Sequence, residues 1–162
     1  MAKIAGFRLD EAMWASGSEA RKVDWNVLLR ELVEDGEFAE ALAGRYLLAT
    51  PSEEYVTLEA LDDDGAIVHE ERVAWERLEG VIAEYTAIID QLDGGGRHRE
   101  TEWFATLDMA KKVVHDRAAA ALVQSGIAAS SEEATLRRLF SVLFALRVDT
   151  SRVRNAKGHR FR

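Results

Sequence analysis

Apolar residues along this chain change their period several times, and each change marks an element. Trp25, Leu28, Leu29, Leu32 and Val33 recur at spacings of three and four behind Ser16-Gly17-Ser18-Glu19, which has the form of a capping box with Ser16 as the cap. This predicts a first helix over about Ser18 to Asp35, closed by Gly36, a residue able to take the left-handed conformation that ends helices. Between Arg45 and Val73 the pattern turns to short β-rich runs: Tyr46 to Ala49, Tyr55 to Leu61 and Ala66 to His69. Pro51 falls in the first connection, and Asp62-Asp63-Asp64-Gly65 in the second supplies the Asp-Gly chemistry of a tight hairpin. An antiparallel meander of three strands is expected, with a fourth, N-terminal edge strand available at Ile4 to Leu9.

Trp75, Leu78, Ile82, Tyr85, Ile89 and Leu92 then form the clearest helical stripe, ended by Gly94-Gly95-Gly96. The stripe spans under three heptads, which favours a core-facing helix over a coiled-coil seam, although a second subunit is an alternative partner for it. The glycine run lacks the Lys-Ser/Thr of a phosphate loop and reads as a connector. A third helix is predicted from Thr101 to Gln124, with Phe104, Leu107, Val114, Ala118, Ala121 and Leu122 on one face. Ser130-Ser131-Glu132-Glu133 has the form of a second capping box. It opens a fourth helix, whose apolar residues from Leu136 to Val148 leave almost no polar side and mark it as the centre of the core. The fold class expected is α+β: a small antiparallel sheet packed against about four helices, in one domain over residues 1–151.

Composition narrows the chemistry. The chain has 162 residues and no cysteine, which excludes disulfides, thiolate zinc sites, iron–sulfur clusters and catalytic thiols. The N-terminal residues lack the apolar stretch of a secretory signal, and Leu136 to Leu146 is too short and too interrupted to span a bilayer, so a cytoplasmic protein of bacterial type is expected. With 29 acidic against 21 basic residues the formal charge is −8, so there is no chain-wide basic footprint for nucleic acid. The exception is the tail over residues 152–162, where Arg152, Arg154, Lys157, Arg160 and Arg162 stand with no acid among them. That tail either lies on the acidic body, is idle, or contacts an external polyanion such as RNA.

The densest polar constellation is Asp108, Lys111, Lys112 and His115, at i, i+3, i+4 and i+7 on the third helix, which makes one column running from solvent towards the apolar stripe. One reading makes His115 a general base or ligand group, oriented by Asp108 or Asp116, with Lys112 attracting an anionic substrate. The other makes Asp108 and Lys112 an exposed ion pair and His115 a satisfied boundary histidine. Asp108 and His115 are about 10 Å apart along the helix axis and do not bond each other. His69, on the third predicted strand, reaches the helical layer if it faces inward. A metal site built with it lacks the usual close histidine spacing, so neither a metal nor another cofactor is expected. His98 and His159 fall in a glycine-flanked loop and in the tail and are expected to be solvated. Trp14, Trp25, Trp75 and Trp103 are dispersed and read as core and boundary anchors rather than a base-stacking platform. No nucleophile elbow, Walker loop, dinucleotide fingerprint or zinc-protease helix is present.

Leu107-Asp108-Met109-Ala110-Lys111-Lys112-x-x-His115-Asp116, followed by Leu122 and by Ala134-Thr135-Leu136-Arg137-Arg138-Leu139-Phe140, resembles the C-terminal half of the bacterial uncharacterised protein family 0262. Leu9-Asp10-Glu11, Arg21-Lys22-Val23, Glu34-Asp35-Gly36-Glu37-Phe38 and Val68-His69 extend the resemblance, in order, over about residues 4 to 148. Ala110 stands where that family has glycine, Asp116 where it has asparagine, and Arg72-Val73-Ala74-Trp75 where a Ser-x-Pro is expected, so the chain resembles a divergent member. The resemblance carries no activity. It implies only that Asp10, Arg21, His69, Asp108, Met109 and His115 occupy motif positions.

Three functions follow as expectations. The first is a non-catalytic interaction module with a protein partner or self-association and no membrane contact. The second is a small enzyme or metabolite-binding protein using Asp108, Lys112 and His115, with His69, Asp10 and Arg21 as further binding candidates. The third is RNA contact, confined to the 152–162 tail.

Overall fold

The structure, a computed structural model, describes residues 1–94, 101–124 and 132–151. The glycine connector beyond Gly94, His98, the Ser130-Ser131 half of the second capping box and the basic tail lie outside them, as do the side chains of Trp103, Phe104 and Leu107. The elements run β1 (Gly6–Leu9), α1 (Glu11–Ser16), α2 (Glu19–Asp35), β2 (Tyr46–Pro51), β3 (Tyr55–Leu61), β4 (Ile67–Ala74), α3 (Trp75–Gly94), α4 (Thr101–Gln124) and α5 (Glu133–Arg147), with a short 3-10 turn at Glu40–Leu42. The architecture is α+β, as expected.

The four strands lie in sequence order, and the meander β2-β3-β4 is antiparallel. The edge strand is not: β1 pairs with β2 in parallel, Phe7 opposite Leu47 and Leu9 opposite Ala49, so the sheet is mixed rather than wholly antiparallel. Two helices separate β1 from β2, and a connection of that length returns the chain in the same direction where a tight hairpin reverses it. Gly65, at φ +83°, closes the β3–β4 hairpin, and Asp62 Oδ1 accepts from the amides of Asp64 and Ala66, both at 2.9 Å.

Helix boundaries correct three local expectations. Ser18, not Ser16, caps α2, its hydroxyl accepting from the Arg21 amide at 3.1 Å, while the Ser16 hydroxyl ends α1 by donating to the Met13 carbonyl at 2.6 Å. The preceding helix α1, capped by Asp10, is too short to show a period and was not expected. Gly36 ends α2 at φ −69°, not in the left-handed region; a side chain there would run into the Leu32 carbonyl and the Phe38 ring, so glycine serves close approach rather than handedness. At the start of α5 the cap is Glu132, without a side-chain hydrogen bond.

The core lies between the inner face of the sheet and the helices. Phe7, Leu9, Leu47, Ala49, Val56, Leu58 and Ala60 cover it from the strands, and Leu32, Leu78, Tyr85 and Ile89 from α2 and α3. The Trp75-to-Ile89 stripe therefore buries against its own core, which answers the question of a second subunit for these residues. Ten of the fifteen residues of α5 are buried, including every position from Leu139 to Leu146, so it is the central helix expected from its sequence. Its far end is tied to α2: Arg21 Nη2 and Trp25 Nε1 both donate to the Ala145 carbonyl, at 2.9 and 3.0 Å, satisfying an acceptor that the helix end leaves open. Buried Asp24 accepts from the Thr150 hydroxyl at 2.9 Å just beyond.

Candidate functional site

Helix α4 turns one face to α3 and α5. Val114, Ala118, Ala119 and Leu122 are buried there, and His115 with them at 5% exposure, while Asp108 and Lys112 remain exposed and Lys111 is half-buried. The column predicted from spacing thus runs from solvent to core, and His115 is its buried end. The imidazole stands edge-on to two rings, its centroid 4.9 Å from Tyr85 of α3 and 5.5 Å from Phe140 of α5. These ring contacts fix its orientation, and among the described residues the buried Nε2 has no hydrogen-bond partner. A buried nitrogen without a partner is costly, so this atom asks for an explanation that packing does not supply.

Above it the first turn of α5 and the middle of α4 enclose a cleft of about 260 Å³, lined by Lys111, Lys112, His115, Ala134, Arg137 and Arg138. Four cations converge on a small volume in a chain whose net charge is −8. Arg137 is partly neutralised, since its Nη1 lies 3.1 Å from Asp116 Oδ1 and 3.0 Å from Glu133 Oε1. Lys112 and Arg138 have no ion-pair or hydrogen-bond partner among the described residues. Ala134, in the first turn of α5, brings the amide end of that helix to the rim, which adds partial positive charge.

The electrostatics of His115 follow. Burial penalises the imidazolium, Lys111 and Arg137 repel it, and Asp116 offsets them only in part, so its pKa falls to about 4. The group is neutral at neutral pH. Burial also lowers Lys111, with Asp108 acting against the shift. The expected Asp108–Lys112 ion pair does not form among the described residues; the Asp108 charge is felt by Lys111 instead. Nor does Asp116 orient His115, because it turns to Arg137. Chemically, an imidazole this acidic is a weak base, so the arrangement suits holding an anion better than abstracting a proton.

The other candidates are dispersed. His69 faces inward on β4, opposite Ala60, but its Nε2 lies 3.0 Å from Glu71 Oε1, beside Phe38, Leu42 and Leu139 rather than near α4. Among the described residues no three histidine, aspartate or glutamate side chains gather as a metal site would need. Asp10 caps α1 and borders an open groove of about 990 Å³ between β1 and α2, with Trp14, Arg30 and Leu48 on its other walls. The Arg21 guanidinium caps α5 and stacks 5.0 Å over the Trp25 ring. Arg152, Arg154, Lys157, Arg160 and Arg162 lie outside the described residues. Trp25 and Trp75 are buried anchors as expected, and Trp75 carries Arg147 at 4.7 Å over its ring.

Sequence reading missed Arg137 and Arg138 as site residues, although the Arg-Arg pair stood in the quoted family pattern. Their helix looked wholly apolar, and only its packing beside α4 shows that its one basic edge faces Lys111 and Lys112. No described helix is long and apolar enough to cross a membrane. Comparison with curated proteins and with solved structures finds no match. A family model matches residues 1–149, and the chain belongs to the uncharacterised protein family UPF0262.

Proposed function

We propose that this protein binds a small anionic ligand in the cleft between α4 and α5. The observation that carries the reading is the convergence of Lys111, Lys112, Arg137 and Arg138 on one small cleft, with the buried, neutral imidazole of His115 among its lining residues. Lys112 and Arg138 supply charge-assisted hydrogen bonds, and Arg137 a third once shared with its acids. The volume suits a group the size of a phosphate or a small dicarboxylate. The role is binding rather than catalysis, in a cytoplasmic setting, and involves Lys112 and His115 directly while Asp108 acts through Lys111.

Titration calorimetry at low ionic strength with phosphate, sulfate, succinate and citrate tests it. At least one anion should bind, with affinity that falls as salt rises and is reduced about tenfold or more by Lys112→Ala/Arg138→Ala. Absence of binding by all four anions would overturn the reading.

A second reading, a protein-interaction module, is favoured by the open β1–α2 groove, in which apolar Trp14, Leu29 and Leu48 lie beside Arg8, Asp10 and Arg30. Affinity capture that returns only chaperones would count against it. RNA contact through residues 152–162 is a third, tested by deleting the tail and measuring salt-dependent RNA binding.

A further inference from the structure

The strand order β1-β2-β3-β4 leaves two sheet edges. The β4 edge is guarded against further pairing by a bulge in its register at Ala60/Leu61 and by the exposed charges of Glu70 and Arg72, 3.7 Å apart. The β1 edge has no such bulge: Gly6–Leu9 pair in register with β2 on one side, and among the described residues no strand lies on the other. All four residues of β1 line the groove of about 990 Å³, and its opposite wall is α2. An unpaired strand edge facing a helix across a groove is the geometry in which an extended peptide adds a strand, its backbone bonding the edge and alternate side chains packing on the helix. Half-buried Trp14 and Val33 and buried Leu29 offer that packing surface.

The direction of α2 orders the charges along the groove. At one end Lys3 Nζ donates to the Glu34 carbonyl at 3.1 Å, and at the other the Trp14 and Trp25 rings lie 5.9 Å apart, so α2 runs antiparallel to β1. Arg8 and Arg30 each fall between these two anchors, while Glu34 stands at the first end and Glu11 towards the second. Among the described residues the side chains of Arg8, Glu11, Arg30 and Glu34 make no ion pair or hydrogen bond. The groove is therefore cationic in the middle and acidic towards both ends. We infer that the β1–α2 groove binds an extended peptide as a fifth strand on β1, and that the peptide it fits carries an acidic residue between two basic ones, with apolar residues at the alternate positions. This rests on the protein-interaction reading above and names the chemistry of its partner.

The probes are two acetylated and amidated heptapeptides, Thr-Lys-Val-Glu-Val-Lys-Thr and its charge-exchanged counterpart Thr-Glu-Val-Lys-Val-Glu-Thr, each long enough to run the length of β1. By fluorescence anisotropy at low ionic strength the first should bind at least about fivefold tighter than the second. Arg8→Glu/Arg30→Glu, at two exposed positions, should invert that preference while leaving the melting temperature nearly unchanged. Strand addition has its own signature, because the amides of successive peptide residues point to opposite sides. N-methylation of the two valines and N-methylation of the three charged residues should differ, one abolishing binding and the other sparing it. Binding that maps by amide NMR to the groove, but is indifferent to N-methyl position and to charge order, would overturn the inference and leave the interaction reading standing. Failure of both peptides to bind would overturn it outright. A dimer seen by light scattering and dissolved by Arg8→Glu/Arg30→Glu would overturn it too, by making a second copy the occupant.

Discussion

His115 stands edge-on to Tyr85, the two ring centroids 4.9 Å apart and their planes at 77°. The pair ties the polar column of α4 to the aromatic cluster that Tyr85 makes with Phe140 and Phe144, at 6.1 and 4.8 Å. A titratable ring inside such a cluster makes folding sensitive to pH. The folded pKa of about 4 lies below the ordinary histidine value of 6.5, so between those values the unfolded chain binds a proton that the folded chain does not. Stability is therefore retained above about pH 6.5 and lost as pH falls towards 4, by up to about 3 kcal/mol from this residue. Thermal melts at pH 7 and 4.5 should show a larger fall for the wild type than for His115→Phe; an equal fall in both would show that the imidazole is accessible to protons in the fold.

Arg137 both repels the imidazolium and occupies Asp116, the one acid that favours it. Arg137→Met removes the repulsion and frees the carboxylate, so both consequences raise the His115 pKa. An NMR titration of the imidazole should place its midpoint higher in the variant. A midpoint unchanged or lowered would mean that burial alone sets it.

Two glycines in helical surroundings should respond in opposite directions. At Gly36 a methyl group would lie 2.6 Å from the buried Phe38 ring and against the Leu32 carbonyl, so Gly36→Ala should cost about 1–3 kcal/mol. At Gly80, inside α3 and exposed, nothing lies within 4 Å, and Gly80→Ala should add about 0.5–1 kcal/mol through helix propensity. At about 2–4 °C per kcal/mol, calorimetric melting temperatures separate the two signs.

Arg21 and Asp108 provide the corresponding contrast among polar residues. Arg21→Ala deletes a donor to Ala145 and the stacking over Trp25, and should cost about 1–3 kcal/mol. Asp108→Ala, at an exposed site without an ion pair among the described residues, should change stability by no more than about 0.5 kcal/mol. Chemical denaturation of the two variants checks both; a strongly destabilised Asp108→Ala would mean that its action on Lys111 supports the fold.

Local periodicity determined the helices α2 to α5, the three antiparallel strands and the Asp-Gly hairpin, because each buries one face and the spacing of apolar residues reports that face directly. It also placed Asp108, Lys111, Lys112 and His115 in one column, since a single helix fixes their relative directions. Three features depended on contacts distant in sequence. The parallel pairing of β1 follows from the path of α1 and α2 between the strands, and Gly36 follows from the approach of Phe38. The cation cluster follows from α5 laying Arg137 and Arg138 beside α4, more than twenty residues away. Periodicity along a single segment records that it has a buried face, but not which segment covers it. Only the tertiary structure decided that His115 is covered by two aromatic rings, has no carboxylate hydrogen-bonded to it among the described residues, and borders a cleft lined by four cationic side chains.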